Sequence, residues 1–99
     1  MKYNKLVRDK IPEILDSKGI TYEQRIANDI EYKEELIKKL SEEVGEFMSD
    51  NSTEELADVI EVIEALKKLP DYSEVERIKI EKKEAKGGFE KRFILKGEK

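Results

Sequence analysis

The chain has 99 residues, of which 44% are charged, and its formal net charge at pH 7 is −4. A chain of this length suits one domain, and it buries only about 60–70% of the surface that its unfolded state exposes. The negative charge argues against a general nucleic-acid-binding protein, which would carry a basic face. No apolar run is long enough to span a membrane, no signal peptide is visible and no cysteine is present, so we expect a cytoplasmic protein.

The first quarter of the chain predicts one short helix and an irregular segment. The helix covers residues 11–18, because Pro12 is tolerated in a first turn and Gly19 ends a helix well. Residues 20–26 follow as an extended or irregular segment.

The middle of the chain predicts two longer helices joined by a short turn. Residues 29–48 form an amphipathic helix, because Leu36 and Phe47 belong to an apolar stripe with helical spacing. Residues 49–52 read Ser-Asp-Asn-Ser, which caps and turns better than it continues a helix. Residues 53–69 form the second helix, and its wide apolar stripe predicts burial on much of its circumference. Helices joined by so short a turn pack antiparallel.

The end of the chain predicts a third substantial helix and a tail. Ser73-x-x-Glu76 is a capping box that would open this helix, and Gly87 would end it. Residues 89–95 set Phe89, Phe93 and Leu95 against charged residues, which suits an extended tail packed on the body or a short strand.

The predicted fold class is therefore all-α. Its core is an antiparallel helical hairpin that assembles into a helical bundle through dimerisation, with an extended C-terminal tail. Dimerisation is expected because the apolar face of the second long helix is more than one short partner helix can cover.

Two acidic clusters flank the predicted turn. At about 100° per residue, Glu43 projects within roughly 20° of Leu36 and so falls inside the apolar stripe, and Glu46 lies one turn on. Glu55 and Asp58 follow the turn by about as many residues as the first two acids precede it. All four carboxylates can therefore converge near one level of the hairpin.

Most of these acids also have a purely structural explanation. Ser52-x-x-Glu55 is a capping-box pattern, so Glu55 could simply satisfy a backbone donor at the helix start. Asp58 could be a favourable charge near the positive end of the helix dipole. Glu42 and Glu46 could be solvated surface acids.

Glu43 is harder to explain in this way. An ionised carboxylate in an apolar stripe costs several kcal/mol unless it is paired or coordinates a metal, and no Lys or Arg is obviously placed on the facing stretch of the second helix. Without His or Cys, the usual zinc, copper and iron–sulfur sites are excluded. An all-oxygen site suits Mg²⁺ or Mn²⁺, and a Mg²⁺ site of this kind suggests phosphate chemistry.

Two motifs on the predicted hairpin carry a resemblance to a known superfamily: Glu42-Glu43-x-x-Glu46 and Glu55-x-x-Asp58. They resemble the signature of the MazG-like, all-α nucleoside triphosphate pyrophosphohydrolases. Residues 3–12, Tyr-Asn-Lys-Leu-Val-Arg-Asp-Lys-Ile-Pro, and residues 86–92, Lys-Gly-Gly-Phe-Glu-Lys-Arg, resemble its small single-domain branch, which is similar to phosphoribosyl-ATP pyrophosphohydrolase. The motifs and flanks together cover most of the chain.

The resemblance implies a single MazG-like domain over residues 1–99, which cleaves a nucleoside triphosphate between its α and β phosphates. The products would be a monophosphate and pyrophosphate, and the role could be removal of non-standard or surplus nucleotides. Mg²⁺ would be the cofactor, with Mn²⁺ as a substitute, and the assembly would be a homodimer or homotetramer without nucleic-acid or membrane partners. The alternatives are a phosphoribosyl-ATP pyrophosphohydrolase and a non-catalytic helical dimer that binds nucleotide.

The resemblance also assigns residues. The metal ligands would be Glu43, Glu46, Glu55 and Asp58. Glu42 would be an additional acid that positions or deprotonates water, so the expected catalytic acids are Glu42, Glu43 and Glu46.

Six basic residues near the two ends of the chain are candidates for contact with the phosphates: Lys5, Arg8, Lys10, Lys83, Lys86 and Arg92. Lys and Arg are the usual phosphate partners in proteins. Their structural alternative is a solvated surface position. Gly87 and Gly88 either let backbone amides approach an anion or only end a helix.

Overall fold

The computed structural model describes residues 4–98, so that Tyr3 of the N-terminal motif lies outside the described residues. Within this range the chain forms helices and no strand, which confirms the all-α class. The elements are α1 (Ile11–Ser17), α2 (Asp29–Asp50), α3 (Thr53–Lys67), a 3₁₀ turn (Pro70–Tyr72) and α4 (Val75–Lys86). No helix in the described part combines the length and apolarity needed to cross a bilayer.

Helix α1 ends in the way that its glycine predicts. Gly19 adopts φ +69°, a left-handed conformation that has little steric cost without a Cβ. Its backbone N–H donates to the carbonyl of Asp16 at 3.0 Å, and the N–H of Ile20 donates to the carbonyl of Leu15 at 3.0 Å. These two bonds are the Schellman pattern, and they turn the chain into the irregular segment before α2.

Helices α2 and α3 are separated by only two residues, and both ends of the turn are capped. Asn51 is left-handed at φ 54°, its N–H donates to the carbonyl of Phe47 at 2.7 Å, and its side-chain amide donates to the same oxygen at 3.1 Å. Ser52 begins α3 by accepting the N–H of Glu55 on its Oγ at 3.2 Å. The predicted four-residue turn was too long, because the Asn51 cap lets α2 continue through Asp50.

The core lies where α2 and α3 contact each other. Its buried apolar side chains, among the described residues, are Leu36, Val59 and Val62. The broad burial predicted for the second long helix is not reached within one chain, since Leu56, Ile60 and Ile63 remain 40–49% exposed, and it stays a prediction for the assembly. One neighbouring helix covers only one face of α3.

The start of α4 differs from its prediction. Ser73 does not cap this helix, because it ends the 3₁₀ turn instead and its N–H donates to the carbonyl of Pro70 at 3.2 Å. Its backbone is helical, at φ −57° and ψ −24°, whereas a capping serine needs an extended backbone. Helix α4 therefore begins at Val75 without a side-chain cap, and it ends at Gly87 as predicted.

The C-terminal tail is not packed on the body. Residues 87–98 are all exposed, and Phe89 and Phe93 show 96% and 77% of their surface to solvent. Neither the predicted packing nor the predicted strand is found in this part of the chain. The described chain is correspondingly elongated: its radius of gyration is 18.0 Å, against about 13 Å for a compact domain of this size.

Candidate metal centre between α2 and α3

Three carboxylates meet at the contact between the two long helices. Glu43 of α2 and Glu55 and Asp58 of α3 each offer one oxygen, and the three oxygens lie within 4.8 Å of one another. Three of the four predicted metal ligands are thus brought together. Like charges at this separation repel unless a proton or a cation intervenes.

Local structure explains why these side chains converge. Glu43 follows Leu36 by seven residues, which is two helical turns, so both side chains lie on the face of α2 that contacts α3. The short turn and the Ser52 cap fix the start of α3, and Glu55 and Asp58 lie one turn apart in its first turns.

Glu43 is the most unusual residue of the cluster. Only 7% of its surface is exposed, and its Oε2 atom is buried without a hydrogen-bond partner among the described residues. Burial raises the pKa of the Glu43 carboxyl, and the charges of Glu46 and Asp58 raise it further. Lys39, one turn earlier, places its Nζ 3.5 Å from the other oxygen and partly offsets this effect.

Of the capping box that could explain Glu55, only the Ser52 half is found among the described residues. The backbone N–H of Glu55 is satisfied by Ser52, as the capping-box pattern predicts. Its Oε2 atom, however, is buried and has no hydrogen-bond partner among the described residues. Two buried carboxylate oxygens of the cluster therefore lack a partner, and a bound cation would satisfy both.

Glu42 and Glu46 lie outside the set of three converging oxygens. Glu46 follows Glu43 by three residues, which rotates its side chain by about 60° around the helix, and it is exposed. Glu42 accepts a hydrogen bond from Lys5 Nζ at 3.0 Å. This bond holds the pKa of the Glu42 carboxyl below its usual range and raises the pKa of Lys5.

Arg8 is the second cation of the N-terminal segment, after Lys5, that contacts an acid near the cluster. Arg8 donates from Nη2 to Oδ1 of Asp58 at 2.7 Å, and its Nη1 lies 3.9 Å from Glu61. Lys5 and Arg8, two of the predicted phosphate contacts, therefore contact acids in this structure.

The other four predicted phosphate contacts are not assembled at this site. They are exposed and form no ion pair with another described residue: Lys10, Lys83, Lys86 and Arg92. Gly87 follows the last residue of α4, which agrees with the alternative that the glycine only ends a helix. Lys39 was missed by the sequence analysis, although its spacing of four residues from Glu43 is the signal for such a pair on one helix face.

The arrangement suits a hard divalent cation, because its donors are all carboxylate oxygens and two of them are buried without a partner. Comparisons of the chain with protein-family models, with curated proteins and with solved structures found no match. The three converging carboxylates are therefore the feature that indicates the chemistry of the site.

The raised pKa of Glu43 predicts how stability changes with pH in the absence of divalent cations. A carboxyl with a higher pKa in the folded state binds protons more tightly there, so ionisation destabilises the fold as pH rises from about 4.5, the unfolded value, through the folded pKa. Glu43→Gln removes this ionisation. We expect the variant to gain melting temperature relative to the wild type at pH 7.5 in EDTA, and to lose most of that gain at pH 4.

Glu34→Gln, an exposed change on the same helix, is the matched control and should show no such pH-dependent difference. Equal melting curves for Glu43→Gln and the wild type across this range would contradict the assignment of Glu43 as a destabilised carboxylate.

Proposed function

We propose that this chain is a Mg²⁺-dependent nucleotide pyrophosphohydrolase of the MazG-like type, which converts a nucleoside triphosphate to a monophosphate and pyrophosphate. The observation that carries the proposal is the meeting of Glu43, Glu55 and Asp58 with two buried carboxylate oxygens unpartnered. A purely structural cluster would leave these oxygens without compensation for their desolvation.

The metal-binding residues are proposed to be Glu43, Glu55 and Asp58, with Glu46 at the margin as the fourth. When bound, Mg²⁺ would supply positive charge that offsets the polyphosphate charge and makes water easier to deprotonate. Mn²⁺ has the same preference for oxygen ligands and should substitute.

The chain's own side chains supply the remaining functions. Glu42 lies one residue before the buried acid and is placed to hold or deprotonate a water once Lys5 turns to the substrate. Lys5, Lys39 and Arg8 surround the acids with positive charge, which attracts an anionic substrate to the site. No side-chain nucleophile is needed for this reaction.

The assembly is proposed to be a homodimer or homotetramer in which the α2–α3 pair is an antiparallel hairpin and contributes to a larger helical bundle. Leu56, Ile60 and Ile63 recur at positions i, i+4 and i+7 and form one half-exposed apolar face on α3. Pairing this face with its copy around a two-fold axis would bury it in both chains.

The interface is tested by Ile60→Lys, which places a charge at the centre of the α3 face. The wild type should run as a dimer or larger species by multi-angle light scattering at micromolar concentration, and the variant should shift towards a monomer. Ile26→Lys is the control, because Ile26 is 98% exposed and lies outside α3. A wild-type monomer would contradict the proposal.

Arg8 should compete with the metal. Its contact with Asp58 occupies a proposed ligand, so Arg8→Gln should tighten Mn²⁺ binding, measured by isothermal titration. The expected gain is up to about fivefold, since an exposed ion pair contributes at most about 1 kcal/mol. Arg77→Gln removes a comparable exposed arginine, which pairs with Glu74 and Glu81 on α4, and should leave Mn²⁺ affinity unchanged. Weaker binding in Arg8→Gln would show that Arg8 supports the site.

The reaction is tested by separating its products. With Mg²⁺, a panel of nucleoside triphosphates should yield monophosphate and pyrophosphate without release of single phosphate. Asp58→Asn should lower turnover by about 100-fold or more while the helical circular dichroism spectrum is kept, because several kcal/mol of charge stabilisation depend on the bound metal.

The control for the reaction is Glu64→Gln, an exposed change on the same helix. Glu61 is less suitable, because it shares Arg8 with Asp58. Hydrolysis at equal rates by Asp58→Asn and Glu64→Gln would rule out the carboxylate mechanism. Nucleotide binding without turnover in the wild type would instead favour the non-catalytic dimer.

A further inference from the structure

A half-open groove lies beside the acid cluster and plays no part in the metal site. It runs between the N-terminal segment, α1, the irregular segment before α2, and α2 itself. Its apolar lining includes Leu6, Ile11, Leu15 and Tyr22, which are partly buried. The lining therefore offers a ligand both aliphatic surface and one aromatic ring.

The Tyr22 ring is held in place by its hydroxyl group. The hydroxyl lies 2.8 Å from Oδ1 of Asp16, to which it donates, and 3.2 Å from the carbonyl oxygen of Pro12. Both partners belong to α1, so the irregular segment is fastened to that helix at this ring. A ring that is already oriented loses little entropy when a flat ligand stacks on it.

Polar groups also line the groove. Asn4 and Gln24 carry amides that both donate and accept hydrogen bonds, and Glu35 is an acceptor. Glu31 also lines the groove, and Arg25 donates to its two carboxylate oxygens from Nη1 and Nη2. These groups suit a flat ligand whose edge carries both donors and acceptors.

The groove continues towards the acids. A smaller groove shares Asn4, Lys5, Leu6 and Glu35 with it and extends along α2. This second groove ends at Glu42 and at Lys39, whose Nζ lies 3.5 Å from the buried Glu43. Glu35 and Glu43 are eight residues apart on α2, which corresponds to about 12 Å of helix. That distance is comparable with an extended nucleotide from its base to its phosphates.

We propose that this groove binds the nucleobase of the substrate, with the base stacked on Tyr22 and the phosphates directed along α2 to the acid cluster. The inference rests on the proposed function, because it takes the ligand at the acids to be a nucleotide. Lys5 and Lys39 lie between the two ends and face the sugar and phosphates. Asn4, Gln24 and Glu35 contact the base edge and set the preference among bases.

The chain contains no tryptophan, so an indole introduced into the groove gives the only tryptophan fluorescence signal. Tyr22→Trp places a single indole in the groove and keeps a stacking surface. The probes are the four α,β-methylene ribonucleoside triphosphates, which resist cleavage at the proposed bond, with inorganic tripolyphosphate as a probe that has no base. At least one nucleotide should change the fluorescence saturably in Mg²⁺, whereas tripolyphosphate should not.

Tyr72→Trp is the matched control, because Tyr72 lies on the 3₁₀ turn beside Lys33 and away from the groove lining. Its fluorescence should not respond to any of the probes. In the Tyr22→Trp variant, a response to tripolyphosphate equal to that of the nucleotides, or no response to any nucleotide, would overturn the nucleobase site.

A second variant tests the same inference by affinity. Tyr22→Leu should raise the KM of the preferred nucleotide by about tenfold, because stacking on one aromatic ring is lost, and should change kcat little. Tripolyphosphate binding, measured by titration with Mg²⁺, should be unchanged. Tyr72→Leu serves as the control for general loss of packing.

The outcomes separate this inference from the proposed function. If the Tyr22→Trp variant binds a nucleotide saturably but the wild type hydrolyses none, the base site is supported and the proposed enzymatic activity is contradicted. Hydrolysis with an unchanged KM in Tyr22→Leu would support the enzyme and overturn the base site.

Discussion

The burial of Glu43 between α2 and α3 is the constraint on which the rest of this structure depends. A carboxylate that shares a helix face with Leu36 occupies space that an apolar residue would otherwise use for packing. Its neighbours Glu55 and Asp58 add repulsion instead of a counter-charge. The contact that holds the two long helices together is therefore electrostatically unfavourable, and the cations Lys39 and Arg8 relieve only part of the repulsion.

This arrangement also explains the position of the N-terminal segment. Lys5 and Arg8 lie 37 and 50 residues away in sequence from Glu42 and Asp58, the acids that they contact. The acids thus hold the segment across the helices, and the same segment forms one wall of the groove that contains Tyr22. The acidic residues repel one another, but they also bind the cations that position the N-terminal segment beside them.

The sequence predicted those features that depend on spacing along one helix. Apolar periodicity indicated α2 and α3, and the Ser52-x-x-Glu55 pattern indicated the cap that the structure contains. The angle between Glu43 and Leu36 predicted a buried carboxylate correctly. Each of these follows from the geometry of a single helix and its first turn.

The features that could not be predicted depend on competition between local patterns or on distant contacts. Ser73 matches a capping pattern as well as Ser52 does. Its backbone N–H, however, donates to Pro70 in the preceding 3₁₀ turn, and its helical backbone is not that of a cap. The contact of Arg8 with Asp58 depends on where the N-terminal segment lies, which no spacing rule specifies.

The small core and the acidic cluster have a common consequence. The three buried apolar side chains among residues 4–98 supply little hydrophobic stabilisation, at most about 1.5–3 kcal/mol each. A cation that binds the folded cluster and not the unfolded chain would add stability by mass action and would remove the repulsion at the same contact. Coverage of the α3 face by a second copy would act on a neighbouring side of the same helix, because Leu56 lies about 100° around the helix from Glu55. Under the proposed function, metal binding and assembly therefore stabilise one element from two sides, because α3 carries both the ligands and the uncovered apolar face.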